Sequence, residues 1–156
     1  MTWQPGCERI TELLQTGELE RVVADDGVAH YLLDDASRHL ATAKTAASSG
    51  DLSGAYQLAY DALRKSGASL LAVQGLRATS RGGHIALQES VLAQFGSTVR
   101  AFRSFSRIRR ARNAFEYPSA LTAGPSIDDV NDAINAAAQA HDAAMTIVQR
   151  GVLTDY

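Results

Sequence analysis

The chain has 156 residues, a length that suits one domain with a substantial apolar core. Its 15 basic and 17 acidic side chains give a formal net charge of −2, which argues against uniform coating of nucleic acid. The single cysteine, Cys7, excludes an internal disulfide and a cysteine zinc cluster, and no apolar run reaches the roughly 20 residues that cross a bilayer. We therefore expect a cytoplasmic protein without a membrane segment.

Residues 1–24 predict a short helix-turn segment. Ile10, Leu13 and Leu14 form a brief apolar pattern, Gly17 interrupts it, and a second fragment covers residues 18–23. We expect residues 1–24 to be loosely attached to a helical bundle formed by residues 25–156.

Two long helices joined by a tight turn are predicted next. The Asp25–Gly27 sequence can cap the first helix, which ends near Gly50. Its expected core face comprises Val28, Tyr31, Leu32, Ala36, His39, Leu40 and Ala43. The second helix runs from about Asp51 to Gln74, and Gly75 ends it. Short links between long helices normally join antiparallel neighbours, so the chain is expected to turn straight back.

A polar, glycine-rich stretch, Leu76–Gly83, predicts a loop that brings Arg77, Arg81 and His84 close together. These three residues are secondary candidates for a binding site. A shorter helix is expected from His84 to Phe95. The alternative interpretation of His84 is a helix-start cap or a hydrogen-bonded structural histidine.

The arginine-rich stretch Ser97–Pro118 predicts an amphipathic helix. Its core stripe comprises Val99, Phe102, Phe105 and Ile108, which recur every three residues. On roughly the opposite side, Arg100, Arg103, Arg107 and Arg110 form a basic ridge without a local acid. We expect this ridge to face solvent.

Four polar residues gather at the end of this predicted helix. Arg112 falls on the core side, and Glu116 follows four residues later on the same side. Since a buried arginine is costly without a partner, Glu116 is its expected carboxylate. Asn113 and Tyr117 are also four residues apart, and Pro118 ends the helix. The group is either a structural ion pair with a tyrosine anchor or a functional site.

The last helix begins at Ser126, whose hydroxyl can cap a first turn that carries two aspartates. Its expected seam comprises Ile127, Val130, Ile134, Ala137, His141, Ala144 and Val148. We expect His30, His39 and His141 to be hydrogen-bonded structural residues. The chain has no metal-binding histidine spacing and no glycine-rich phosphate loop after a strand, so neither a metal nor a cofactor is predicted. The predicted fold class is all-α, an up-and-down bundle of four to five helices.

Two stretches, AYQLAYDALRKSGASLLAVQGLRATSRGGH and RIRRARNAFEYP, together resemble the HEPN domains of prokaryotes. The resemblance covers roughly residues 28–150. It implies a helical bundle that commonly forms a homodimer in which the motif helices of two copies meet. It also implies a partner, because such domains are often encoded with a nucleotidyltransferase as a toxin–antitoxin system.

In catalytic HEPN members, an arginine, a polar residue and, a few residues later, a histidine cleave RNA without metal. Arg112 and Asn113 match the start of this motif, but Tyr117 stands where the histidine is expected. A phenol, whose reference pKa is about 10, is a poor substitute for histidine in proton transfer near neutral pH. The resemblance therefore makes Arg112, Asn113 and Tyr117 uncertain catalytic residues, and Arg109, Arg112, Asn113, Glu116 and Tyr117 the expected contacts to RNA or a nucleotide.

Three hypotheses follow. The first is a module that binds RNA or a nucleotide, works with a partner protein and lacks strong ribonuclease activity. The second is an active, metal-independent ribonuclease toxin. The third is an interaction-only bundle whose arginine ridge docks an acidic protein. Salt dependence separates phosphate binding from an apolar interface, because phosphate binding releases counterions.

Overall fold

The computed structural model describes residues 3–120 and 123–156, and its helices pack into one bundle with a small sheet at its side. In chain order the elements are α1 (Cys7–Gln15), β1 (Leu19–Arg21), α2 (Asp26–Ser48), α3 (Leu52–Val73), β2 (Leu76–Ala78), α4 (Gly83–Phe95), a 3₁₀ helix (Arg100–Ser104), α5 (Phe105–Glu116) and α6 (Ile127–Arg150). The predicted all-α class is confirmed. The five bundle helices are α2 to α6, and α1 is added by the N-terminal segment.

Helix α3 lies at the centre of the bundle and packs against α2, α4, α5 and α6. The three long helices start where the sequence predicts, because local caps fix their first turns. Asp25 accepts a hydrogen bond from Val28 N, and Asp51 accepts one from Gly54 N. Ser126 and the third residue of α6 form a reciprocal capping box. Helix α3 also contacts α5, which brings Gln57 and Tyr60 of α3 beside the end of α5.

The buried face of α2 differs from the predicted one. It consists of Ala29, Leu33, Ala36, Leu40 and Ala43, whereas Val28 is 46% exposed and Tyr31 is 63% exposed. Both faces are apolar near the start of the helix, so the sequence pattern does not separate them. Packing against α3 and α6 selects the face with small and leucine side chains, which permits close helix approach.

The N-terminal segment is held more closely than the sequence predicts. Ile10, Leu13 and Leu19 are at most 1% exposed and belong to the shared core. Strand β1 pairs antiparallel with β2, so part of the predicted loop Leu76–Gly83 is a strand. Three-residue strands are too short to show a period-two pattern. The division of the chain at residue 24 stays a prediction.

Gly75 makes this pairing possible. Its φ of +67° is unfavourable for other residues, and an added Cβ would lie 2.7 Å from Val22 O. The backbone of Val22 in turn donates to Gly75 O at 2.8 Å. The glycine therefore both ends α3 and lets the chain before α2 approach closely.

The arginine-rich stretch is not one continuous helix. A 3₁₀ helix precedes α5, and Arg103 donates to the carbonyl oxygens of Gly96 and Ser97 at 2.6 and 3.2 Å. A 3₁₀ helix has three residues per turn, so Phe102 and Phe105 fall on one side, and both are fully buried. Together with Ile108 they confirm three of the four residues of the predicted core stripe, and the fourth, Val99, is partly buried against the core. The three-residue step from Phe102 to Phe105 reflects the tighter 3₁₀ helix.

Within the described ranges, no helix combines the length and the hydropathy that crossing a membrane requires.

Candidate functional site

Arg112 points inward from α5 to α3, as the sequence predicts. Its Nε donates to Gln57 Oε1 at 2.6 Å, and its Nη1 donates to Asn113 Oδ1 at 3.0 Å. The guanidinium carbon lies 5.6 Å from the centre of the Tyr60 ring, within cation–π distance. Arg112 is therefore held by two amide oxygens and an aromatic face.

The predicted Arg112–Glu116 ion pair is wrong. No ion pair joins these two described residues, and Glu116 is exposed while Arg112 is half-buried. An i,i+4 pair on a helix surface stabilises by only about 0.2–0.5 kcal/mol. The hydrogen bond to Gln57 and the contact with Tyr60, both supplied by α3, outweigh it.

Arg109, one turn before Arg112, is held in the same way. Its Nε donates at 2.9 Å to Oε1 of Gln88, a buried residue of α4. Amide oxygens orient a guanidinium without neutralising it. Among the described residues neither Arg109 nor Arg112 forms an ion pair with a carboxylate, so no paired acid offsets their charges.

Tyr60 lies at the centre of this group. Its hydroxyl is 2.9 Å from His84 Nδ1, and burial raises the pKa of the phenol. Desolvation lowers the pKa of His84, and the nearby charges of Arg64 and Arg112 lower it further. Arg64 lies one turn after Tyr60 on α3, and its Nε forms a 3.4 Å ion pair with Asp61 Oδ1. We call Arg64, Arg109, Arg112 and His84 around Tyr60 the arginine cluster.

Two members of this cluster, Tyr60 and Arg64, and the two glutamines that hold its arginines, Gln57 and Gln88, are absent from the sequence prediction. Gln57, Tyr60, Arg64 and Gln88 come from α3 and α4, far from the motif helix in sequence. A signal was present, because Gln57, Tyr60, Asp61 and Arg64 recur at steps of three, one and three along a helix whose remaining residues are mostly apolar or small. A polar stripe of this kind on a central helix indicates that it faces a site or a neighbour with polar groups.

Asn113 and Tyr117 take different positions. Asn113 accepts a hydrogen bond from Arg112, whereas the Tyr117 side chain is 77% exposed at the end of α5. The aromatic anchor of this helix end is Phe115, which meets Tyr56 edge to face at 5.0 Å between ring centres. Tyr117 therefore does not anchor the helix end, which was one interpretation of the sequence. Of the five expected contacts, the structure groups Arg109, Arg112 and Asn113 and leaves Glu116 and Tyr117 on the exposed helix end.

The basic ridge is exposed as predicted, but it is not free of acids. Arg107 forms a 2.7 Å ion pair with Asp132 of α6. Arg103 is engaged with backbone carbonyls. The sequence shows no acid near these arginines because the partner is supplied by another helix.

The three secondary candidates for a binding site, Arg77, Arg81 and His84, have different surroundings. Arg77 forms an ion pair with Glu20 at 2.8 Å across the sheet, and Arg81 is exposed. His84 instead belongs to the arginine cluster. Arg77 and His84 do share the lining of one cavity, of about 410 Å³, between α2, α3, β2 and the start of α4.

The other histidines have structural contacts, as predicted. His141 Nε2 lies 2.9 Å from Leu33 O, His39 contacts Lys65 at 2.8 Å, and His30 lies 2.6 Å from the carbonyl oxygen of Asp26. In the part of the chain that the structure describes, no group of three or more His, Cys, Asp or Glu side chains is placed to hold a metal ion.

Comparison with protein families matches the HEPN domain over residues 29–147. The matched range begins in the first turn of α2 and ends in α6, so it includes every helix that builds the arginine cluster. HEPN domains are generally associated with RNA binding or nuclease activity. Searches against curated proteins and against solved structures gave no match.

Proposed function

The chain belongs to the HEPN domain family, and on that premise we propose that it binds RNA or a nucleotide at the Arg112–Asn113 motif, works with a partner protein and lacks strong ribonuclease activity. The observation that carries this proposal is the way two arginines are held. Gln88 and Gln57 orient Arg109 and Arg112 by amide oxygens, so their charges are available to an anion.

Phosphate is the anion that this arrangement suits best. A guanidinium makes bidentate, charge-assisted hydrogen bonds to phosphate oxygens, and its remaining N–H groups stay available when only Nε and one Nη are engaged. Arg109 and Arg112 are one helical turn apart, so both can contact one phosphate or two neighbouring phosphates. Two such contacts to single-stranded RNA give a slope of about −1.4 in a plot of log affinity against log salt.

Cleavage requires more than binding. Attack by a ribose 2′-hydroxyl on phosphorus needs a group that accepts a proton near neutral pH. The motif helix offers a tyrosine where catalytic relatives have histidine, and Tyr117 is exposed at the end of α5, whereas Arg112 is half-buried against α3. Glu116, the other base of this helix end, is exposed to solvent. We therefore expect RNA to be bound and left intact.

The partner we propose is first a second copy of the chain, which would bring two Arg112–Asn113 motifs together, and then a nucleotidyltransferase encoded beside it. This part rests on family resemblance. Light scattering at tens of micromolar would test the homodimer, and a purely monomeric protein would argue against paired motifs.

The central test measures anisotropy of labelled single-stranded RNA between about 50 and 200 mM salt. Arg112→Gln should weaken binding and reduce the salt slope by about 0.7, the value for one phosphate contact. Arg150→Gln, an exposed arginine at the end of α6, is the charge-matched control and should change little. Salt-insensitive or absent RNA retention would favour an interaction-only bundle instead.

A second measurement follows RNA integrity in metal-free buffer for the wild type and for Tyr117→His. We expect the wild type to leave RNA intact. If the wild type cleaves and Arg112→Ala abolishes cleavage, the protein is an active ribonuclease toxin and the non-catalytic proposal is wrong.

A further inference from the structure

His84 is the member of the arginine cluster whose charge can change near neutral pH, because the guanidinium groups beside it stay protonated. It stands in the first turn of α4 and is exposed, so a ligand held by the cluster can approach its ring. Tyr60 joins it to Arg112, since the phenol oxygen lies 2.9 Å from His84 Nδ1 and the ring centre lies 5.6 Å from the guanidinium carbon of Arg112. The imidazole is therefore a switchable charge close to the motif arginine.

The hydrogen bond with Tyr60 orients the imidazole in both of its charge states. Burial raises the pKa of the phenol, so the hydroxyl keeps its proton and donates to Nδ1 of neutral His84. The proton of the neutral ring then lies on Nε2, and once the ring is protonated Nδ1–H donates to the same oxygen. Nε2–H has no hydrogen-bond partner among the described residues, so it can donate to a ligand in either state. The bond also occupies the only lone pair of the neutral ring, so His84 is not free to accept a proton from a ribose hydroxyl.

The charges around His84 disfavour its protonation. Desolvation is the largest cause of its lowered pKa, Arg64, Arg112 and Arg109 lower the pKa further, and Asp61 opposes them. Arg64 is paired with Asp61 at 3.4 Å, whereas Gln88 and Gln57 hold Arg109 and Arg112 by amide oxygens.

Two further charged groups line the same cavity as His84, and both have partners. Arg77 of β2 is paired with Glu20 at 2.8 Å, and Asp25 accepts a hydrogen bond from the first turn of α2. The positive charges around the imidazole that no described carboxylate offsets are therefore those of Arg109 and Arg112.

A phosphate bound by Arg109 and Arg112 reverses this balance, because its negative charge favours the protonated imidazole. By linkage, the protonated imidazole strengthens phosphate binding by the same factor. We propose that His84 is a further phosphate-binding residue of the arginine cluster, which donates Nε2–H to bound RNA and takes up a proton as the RNA binds. The inference rests on the proposed function and deepens it, because it adds a residue from α4 and makes RNA affinity depend on pH.

The test measures the anisotropy of labelled single-stranded RNA at about pH 8 and about pH 5.5. The RNA carries a 5′-hydroxyl, because a terminal phosphate would itself titrate near pH 6, whereas the internal phosphodiesters keep one charge. The wild type should bind about two- to fivefold more tightly at the lower pH, since one added phosphate contact corresponds to about fivefold at about 0.1 M salt.

Two substitutions of His84 should remove the pH dependence in opposite ways. His84→Gln cannot take up the proton, so it should bind at both pH values as the wild type does at pH 8. His84→Lys keeps a charge at both, so at pH 8 it should bind about as tightly as the wild type at pH 5.5. The matched control is His30→Gln, at an exposed position of α2 where the ring contacts the carbonyl oxygen of Asp26, and it should keep the wild-type pH dependence.

Proton uptake can also be measured on the wild type alone. Calorimetric titration with the same RNA near pH 6, in two buffers with different heats of ionisation, should show uptake of less than one proton per complex. Absence of uptake, or a His84→Gln variant that keeps the wild-type pH dependence, would overturn the inference. Salt-sensitive RNA binding that is equal at both pH values would overturn it and leave the proposed function intact, whereas absence of salt-sensitive binding at either pH would overturn both.

Discussion

Gln57→Glu tests whether the arginine cluster works because Arg112 is oriented without being neutralised. The substitution keeps the side-chain shape and the acceptor that Arg112 Nε uses at 2.6 Å, but it replaces a neutral amide by a carboxylate. A charge-assisted hydrogen bond is stronger than a neutral one, and a partly exposed ion pair contributes up to about 1 kcal/mol. We therefore expect the free energy of unfolding to rise by about 0.5–1 kcal/mol.

RNA affinity should move in the opposite direction. Neutralising one arginine removes about 0.7 from the salt slope, and at 0.1 M salt this corresponds to a loss of about fivefold in affinity. The loss should shrink at acidic pH, where the new carboxyl, with a reference pKa of about 4.3, becomes protonated. Neighbouring Arg112 pushes that recovery to still lower pH.

Anisotropy with labelled RNA and denaturant unfolding measure the two effects on the same preparations. Gln139→Glu, at an exposed position of α6, changes net charge by the same amount and is the matched control. If Gln57→Glu and Gln139→Glu bind RNA equally well, the positive charge of Arg112 does not hold the RNA. If Gln57→Glu is less stable than the wild type, the hydrogen bond from Arg112 does not tolerate a carboxylate and the geometric reasoning is wrong.

Three further predictions concern the supporting structure. The pKa of His84 is lowered by desolvation and then by the charges of Arg64 and Arg112, so the folded state disfavours protonation of this histidine. The free energy of unfolding should therefore be unaffected well above pH 6.5, the reference pKa, and should fall as the pH drops through that value. The variant His84→Gln should remove this component of the pH profile measured by denaturant unfolding. The pKa of Asp35 is lowered chiefly by its hydrogen bond from Lys65; Lys65→Met should destabilise the fold above the range where a free aspartate titrates, and the difference should vanish as pH falls through the folded pKa of Asp35. Phe105→Ala should cost about 3–5 kcal/mol, since Phe105 is fully buried and meets Tyr60 edge to face at 6.2 Å; a loss under about 1 kcal/mol would contradict the assigned core.

The starts of the long helices could be predicted because their causes are local. The carboxylates of Asp25 and Asp51 and the hydroxyl of Ser126 bond to backbone groups only a few residues away. The core stripe of Phe102, Phe105 and Ile108 was also readable, since every third position in this stretch is apolar. The motif residues Arg112 and Asn113 were recognisable from their neighbours in sequence, and the HEPN match includes them.

The partner of Arg112 could not be predicted in this way. Sequence spacing offers Glu116, four residues away, but Gln57 is 55 positions distant and becomes a neighbour only when α5 packs across α3. A surface pair within one helix is worth too little to compete with a contact that the bundle has already brought into place.

Sequence by itself therefore determined the helical class, the caps, the core stripe of the motif helix and the identity of Arg112 and Asn113. Tertiary structure decided which face of α2 is buried, that Leu76–Ala78 pairs with the N-terminal segment, and that Tyr60, His84 and Arg64 surround Arg112. The physical reason is the distance along the sequence over which each effect acts, since caps and periodicity depend on residues within one or two helical turns. The charge and orientation of the arginine cluster depend on side chains from three helices that meet only in the folded bundle.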